Sequence, residues 1–205
     1  PNRKDGDSCG VCPSCQQVTA LAHPDLHMVY PVNKKEKKSG EVITSDMFIK
    51  EWREIWQQKR GIFTTEEWYD RLDLGKTMKG LITTKESDEI IRKLSFKSFS
   101  SKYKMMIIWQ PEAMNAEAAN KILKILEEPW ENTVFLLVAE RGDLLLKTIL
   151  SRTQETSVPR LKVEDLVSLS GASEQERRNM ARLAAGDVIQ MRRMVQGEGD
   201  ELREE

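Results

Sequence analysis

Between Tyr103 and Thr156 two apolar runs bracket a segment of helical period, and no other stretch limits the fold as strongly. Met105–Trp109 and Val134–Ala139 are continuous apolar runs of strand length. Such runs suit strands covered on both faces of a parallel sheet, since a solvated face would bring polar residues at every second position. Between them Ala118, Ala119, Ile122, Leu123 and Leu126 recur at helical spacing. Asn115 is placed to cap this helix, Glu117 favours its first turn, and Pro129 stops it. Strand, helix and strand in this order predict a right-handed crossover unit of an α/β domain. Glu127 and Glu128 end the helix, where its dipole disfavours negative charge by about a few tenths of a kcal/mol each. Either solvent screens these carboxylates or they serve a local function.

A chain of 205 residues has room for one domain and part of another. Its 39% hydrophobic and 32% charged residues are those of a globular protein with a well-charged surface. No apolar run approaches the ~20 residues of a membrane span, and no signal peptide opens the sequence. The expectation is a cytoplasmic protein without membrane contact. A formal net charge of -1 gives no global attraction to nucleic acid, so any DNA contact must be local or made with partners. The abrupt opening, with cysteines at its edge and no strand before them, is that expected of a fragment.

Cys9, Cys12 and Cys15 are the only cysteines. Three thiols at this spacing cannot all pair as disulfides, whereas thiolate clusters of this kind suit tetrahedral zinc. A fourth ligand is then required. His23 and His27 are candidates, although Pro24 and the strand-like Leu26–Val32 argue for other roles. The alternative is three reduced thiols without metal.

The remaining segments read as scaffold. Leu26–Val32 predicts a strand, and the lysine-rich Asn33–Gly40 a solvated loop rather than a phosphate contact. Phe48, Ile49, Trp52, Ile55 and Trp56 mark an amphipathic helix capped at Ser45, its tryptophans placed for packing. Thr64 and Glu67 form a capping box for a helix carrying Trp68, Tyr69 and Leu72 and ending at Gly75; Thr83 and Glu86 form another, for a helix through Leu94. Gly75-Lys76-Thr77 is not a phosphate loop. That motif needs a glycine where Asp70 stands and a strand before it, so Gly75 reads as a helix cap. Phe96–Lys102 is a loop. Thr153–Val158 predicts a last sheet strand and Pro159 a boundary. Beyond it Val163–Ser168 and Glu174–Val195 read as helices separated by residues 170–173, with Asp187 able to start a further one.

Asn120-Lys-Ile-Leu-Lys-Ile-Leu-Glu-Glu-Pro129, Asn132-Thr-Val-Phe-Leu-Leu-Val138 and Thr148-Ile-Leu-Ser-Arg152 together resemble the bacterial clamp-loader ATPase family of the AAA+ class. The resemblance spans about fifty residues. It implies an incomplete AAA+ (RecA-like) parallel-sheet domain over residues 1–159 that lacks its first strand and phosphate loop. It further implies a small zinc module over about 1–20, a helical lid over 160–196 and a frayed acidic tail over 197–205. In the family a further cysteine upstream of the triplet completes the zinc site; that position falls before Pro1. The family's Thr-Ile-Leu-Ser-Arg string carries an arginine finger, which implies that Arg152, with Ser151, acts in trans on ATP held by a neighbouring subunit. A lone arginine here would otherwise read as salt-bridged at a helix end. Thr153 stands where the family usually has cysteine.

Several departures decide which branch of the family is nearer. Motor subunits end the central strand in Asp-Glu, which holds magnesium; here Gln110-Pro111-Glu112 occupies that place, and an amide lacks the needed charge. Ala139-Glu140 stands where motor subunits often carry a threonine pair. Ile189 stands where lids often carry a nucleotide-sensing arginine, although Arg192 and Arg193 are near. These differences favour the non-hydrolysing delta-prime branch, with no nucleotide expected in this fragment. The implied partners are the motor and delta subunits of the DNA polymerase III complex, and, through that complex, the sliding clamp and primer-template DNA. The alternatives are an ATP-hydrolysing motor (gamma/tau-type) subunit and, more distantly, an independent zinc-ribbon DNA-binding module.

Overall fold

A computed structural model describes residues 3–4, 7–36, 38, 40–168 and 174–195. The chain divides into two compact units, one of residues 1–58 and 65–155 and one of residues 59–64 and 156–205. The first unit is a mixed α/β body. Its elements are a short hairpin of β1 (Arg3–Lys4) and β2 (Asp7–Ser8), then α1 (Pro13–Thr19), β3 (Leu26–Val29), α2 (Ile49–Lys59) and α3 (Thr65–Arg71). These are followed by α4 (Thr84–Ser95), β4 (Lys104–Trp109), α5 (Ala116–Glu127), β5 (Thr133–Val138) and α6 (Lys147–Leu150).

The sheet has the order β3-β4-β5, with both pairings parallel. Met106 and Ile108 of β4 are fully buried against Ile90 and Leu94 of α4 and Ile122 and Leu126 of α5. Asn115 caps α5 as expected, its Oδ1 accepting the Ala118 N–H at 2.8 Å. A separate aromatic cluster gathers Tyr30, Trp52, Trp68 and Trp109; Tyr30 stacks on Trp52 at 3.9 Å between centroids. Trp52 and Trp56 thus pack, as their spacing suggests.

Several local expectations fail for physical reasons. Val134, Leu136 and Val138 are 37%, 44% and 49% exposed, so β5 is covered on one face only. The predicted strand over Thr153–Val158 does not form: no described strand lies beside it and residues 154–158 are exposed. The strand predicted over Leu26–Val32 ends at Val29, and Val32 makes only an isolated bridge to Leu81. Helix α3 ends at Arg71, and Gly75, at φ +69°, closes the turn beyond it rather than the helix. Ser45 lies inside a 3-10 turn rather than at a cap, and Thr83, although it stands at the N-cap of α4, makes no side-chain capping hydrogen bond. Instead the fully buried Glu86 carboxylate accepts the Ser45 N–H at 2.6 Å and its hydroxyl at 2.7 Å. The carboxylate is a stronger acceptor for these buried donors than the local box would be.

In the second unit α7 (Val163–Ser168), α8 (Glu174–Leu183) and α9 (Val188–Val195) pack Leu166, Ala181, Ala184 and Met191 into a small core. Asp187 caps α9, accepting the Ile189 and Gln190 N–H groups at 2.8 and 3.0 Å. Gly186 precedes it at φ +86°; a Cβ there would lie 2.6 Å from the Leu161 carbonyl oxygen, so only glycine fits. The predicted linker over residues 170–173 and tail over 197–205 lie outside the described residues. Among the described residues no helix is long and apolar enough to cross a membrane.

Asp25 anchors the loop between α4 and β4. Its carboxylate accepts N–H groups from Phe99 (2.5 Å), Ser100 (2.8 Å) and Ser101 (2.7 Å). Burial alone would raise its pKa, but these donors hold it below the ordinary aspartate value. Its stabilising contribution is therefore complete above about pH 4 and is lost as acid protonates it. Asp25→Asn should cost about 1–3 kcal/mol at neutral pH, because it leaves buried donors poorly matched. Chemical denaturation of both proteins from neutral to acid pH checks this: the gap should shrink as pH falls, and a constant gap would contradict it.

Candidate functional site

Three clusters carry the chemistry that the sequence points to. The first lies at the C-terminal ends of β4 and β5. Gln110 leaves β4 in the left-handed region, φ +55° and ψ +60°, while its N–H still bonds the Val138 carbonyl at 2.8 Å. This turn sends the side chain sideways. Its carboxamide nitrogen donates to the Thr65 hydroxyl and, at 3.1 Å, to the Glu140 carboxylate. Glu112 turns back across the same end, its Oε1 accepting the N–H groups of Glu140 and Arg141 at 2.9 and 3.1 Å. At the end of β4 a neutral amide thus bridges a hydroxyl and a carboxylate. The arrangement ties two strand ends and the start of α3 together. It offers a hard cation fewer anionic oxygens than an Asp-Glu pair would. Thr65 was not singled out by the sequence, and its distance from Gln110 in the chain explains why.

The second cluster surrounds Arg152. Ile149, 1% exposed, anchors the single turn of α6 in the core beside Ile122 and Leu126. Leu144, upstream of this turn, is instead 58% exposed. Ser151 and Arg152 follow the anchor directly. Arg152 Nε donates to Glu127 at 3.0 Å, and its Nη1 donates to the Thr148 carbonyl at 3.1 Å and meets the Ser151 hydroxyl at 3.4 Å. The Ser151 hydroxyl itself donates to the Thr148 carbonyl at 3.1 Å. The guanidinium is thus oriented on one edge by the helix-end carboxylate, leaving donors on its Nη2 that these contacts do not use. Glu127 is therefore the missing partner, signalled in the sequence only by its unfavourable place at a helix C-terminus.

The third cluster is the cysteine triplet. The Cys9, Cys12 and Cys15 sulfurs all lie within 4.8 Å of one another, and Cys9 and Cys15 are 3.8 Å apart. Tetrahedral zinc with Zn–S bonds of about 2.3 Å places its sulfurs about 3.8 Å apart, the separation of Cys9 and Cys15, and the triplet as a whole lies near that spacing. The Cys9 thiol is held at about 7, first by the backbone N–H of Val11 and then by that of Cys12. Cys15 is pushed up, chiefly by its hydrogen bond with Cys12. A thiol poised to ionise beside two others is the donor set of a soft or borderline metal. Neither histidine joins it. His23 Nδ1 accepts the Asp25 N–H at 3.1 Å and its Nε2 meets the Ser101 hydroxyl at 3.3 Å. His27 lies within β3, paired in register with Met106. Among the described residues the group able to hold a metal is the three cysteines.

In the second unit Ile189 keeps its apolar place, and Arg192 donates from Nη1 to the Ile62 carbonyl at 2.6 Å.

A family model described as DNA polymerase III, delta subunit, matches residues 1–162. Among curated proteins, the DNA polymerase III subunit delta' of Pseudomonas aeruginosa is 45% identical over 152 residues, covering 74% of this chain and 33% of its own length. That of Haemophilus influenzae is 29% identical over 172 residues, covering 82% and 39%. That of Bacillus subtilis is 28% identical over 148 residues, covering 72% and 31%. A solved structure of a DNA polymerase III gamma subunit-related protein from Thermotoga maritima is similar at 31% identity, TM-score 0.43, covering 51% of this chain and 38% of that one. The chain spans about a third of the length of the curated relatives it matches. It belongs to the DNA polymerase III delta-prime family.

Proposed function

We propose that this chain is part of a non-hydrolysing clamp-loader subunit that supplies Arg152 to the ATP site of a neighbouring motor subunit. In this reading residues 1–159 form an AAA+ core with a zinc module, residues 160–196 form its lid, and the full-length protein works in the cytoplasm. Its partners are the motor and delta subunits, with the sliding clamp and primed DNA reached through the complex. The observation that carries the proposal is the presentation of Arg152: anchored through Ile149, oriented by Glu127, and placed just after the chain leaves the core.

The physical logic is electrostatic. Guanidinium is permanently charged and forks onto phosphate oxygens, so it offsets charge that develops on a γ-phosphoryl group during transfer. Ser151 steadies the turn through Thr148 rather than reacting. Hydrolysis in cis is disfavoured by the amide at position 110, whose bonds to Thr65 and Glu140 hold the strand end without a magnesium-binding charge.

Arg152→Ala, built into full-length protein and a reconstituted complex, should lower DNA-stimulated ATP hydrolysis by about ten-fold or more. Single fingers are worth ~10³–10⁵ in related transfers, and an assembly with several sites should feel part of that. Assembly, followed by size-exclusion chromatography, should be unchanged. Wild-type hydrolysis and clamp loading in a normally assembled complex would make Arg152 structural.

Zinc is the metal proposed for Cys9, Cys12 and Cys15, with the fourth ligand from upstream in the full-length protein. When bound, it would supply cross-linking energy to a module too small to build its own core. Cobalt titration of the full-length protein should give thiolate-to-metal charge-transfer absorption at about one equivalent, lost in Cys12→Ser. An absent or unaltered band would refute the site.

A further inference from the structure

The loop between α4 and β4 is an unusual use of apolar surface. Within eight residues it carries Phe96, Phe99 and Tyr103 at 61%, 85% and 50% exposure, interleaved with the exposed Lys97 and Lys102. Single exposed apolar residues are ordinary, but three aromatic rings on one short loop are not. Nor is the loop slack. Asp25 takes the N–H groups of Phe99, Ser100 and Ser101, while the buried Lys104 ammonium donates to the Leu94 and Phe96 carbonyls. Its backbone is thus held at both ends while its rings face solvent. Lys102 lies 5.3 Å over the Tyr103 ring centroid. Beside Tyr103 opens a cleft of about 320 Å³, lined among others by Cys15, Val18, Leu26, Ser101 and Met105.

We propose that the Phe96–Tyr103 loop is a binding site for single-stranded nucleic acid, its rings stacking on bases and Lys97 and Lys102 meeting phosphates. The chemistry is that of a sequence-tolerant single-strand site, in which exposed aromatic faces take unstacked bases and nearby cations follow the backbone. Local charge supplies what the chain's overall charge does not. Because Asp25 already occupies the loop's amides, anion affinity must come from the lysine side chains. Separate exposed rings interleaved with lysines suit flat heterocycles on a charged backbone better than the continuous apolar groove an acidic peptide would need. The proposal does not depend on the assignment of Arg152, since it invokes neither ATP nor a neighbouring subunit.

The test uses fluorescence anisotropy of a labelled oligothymidine of about 20 nucleotides with the full chain at roughly 50 mM salt, where two phosphate contacts are weakly screened. Single strand should bind more tightly than a duplex of equal length. Its log K should fall with log salt at a slope of about -1.4, which is ~0.7 for each of two lysines. Phe99→Ser and Phe96→Ser should each weaken binding about five-fold or more, within the range of stacking losses per base. Lys97→Glu with Lys102→Glu should abolish the salt dependence. Circular dichroism melting separates lost binding from lost folding, and Phe99→Tyr should restore affinity. No binding, equal affinity for duplex, unaltered binding by folded ring variants, or binding only of an acidic phenylalanine-containing peptide would each overturn the proposal.

Discussion

The central strand β4 is the constraint on which the first unit depends. It is hydrogen-bonded on both sides, to β3 over Leu26–Val29 and to β5 over Thr133–Val138, so its six residues fix the position of both neighbours. Met106 and Ile108 on one face collect α4 and α5 by burying against their apolar stripes. Full burial of such side chains contributes about 1.5–3 kcal/mol each, and their close packing penalises any shift in register. Both ends of β4 become positions for other chemistry. Lys104 at its start holds the aromatic loop, and Gln110 at its end holds the polar bridge to Thr65 and Glu140.

Much of this was legible in the sequence where the signal is local. Helix α5 combines a helical apolar period, a capping Asn115 and a terminating Pro129, and it forms over Ala116–Glu127. The cysteine spacing likewise brings three sulfurs to one place, since residues three apart in a tight turn cannot separate far. Sequence resemblance placed the chain in its family through motifs that the structure locates on α5, β5 and α6.

What was not legible depended on partners far along the chain. Thr83 and Glu86 have the spacing of a capping box, but Glu86 meets Ser45, 41 residues away, and a local rule cannot register that competitor. Val134, Leu136 and Val138 are as apolar as Phe135 and Leu137, so pattern alone could not assign them to an exposed face. The strand expected over Thr153–Val158 had suitable residues but no neighbouring strand among the described residues, and a strand without one leaves its backbone groups to water. The pairing of Arg152 with Glu127 spans 25 positions; each residue was notable alone, and only the fold joins them.

That pairing gives the functional account its sharpest form. If Glu127 orients a guanidinium that acts on a neighbour's phosphate, its carboxylate matters only while Arg152 is present. A double-mutant cycle of Glu127→Gln and Arg152→Ala, read as DNA-stimulated ATP hydrolysis in the reconstituted complex, measures this coupling directly. The account predicts that Glu127→Gln slows hydrolysis in the wild-type background and adds nothing to Arg152→Ala. Independent, additive losses, or no effect of Glu127→Gln at all, would contradict it.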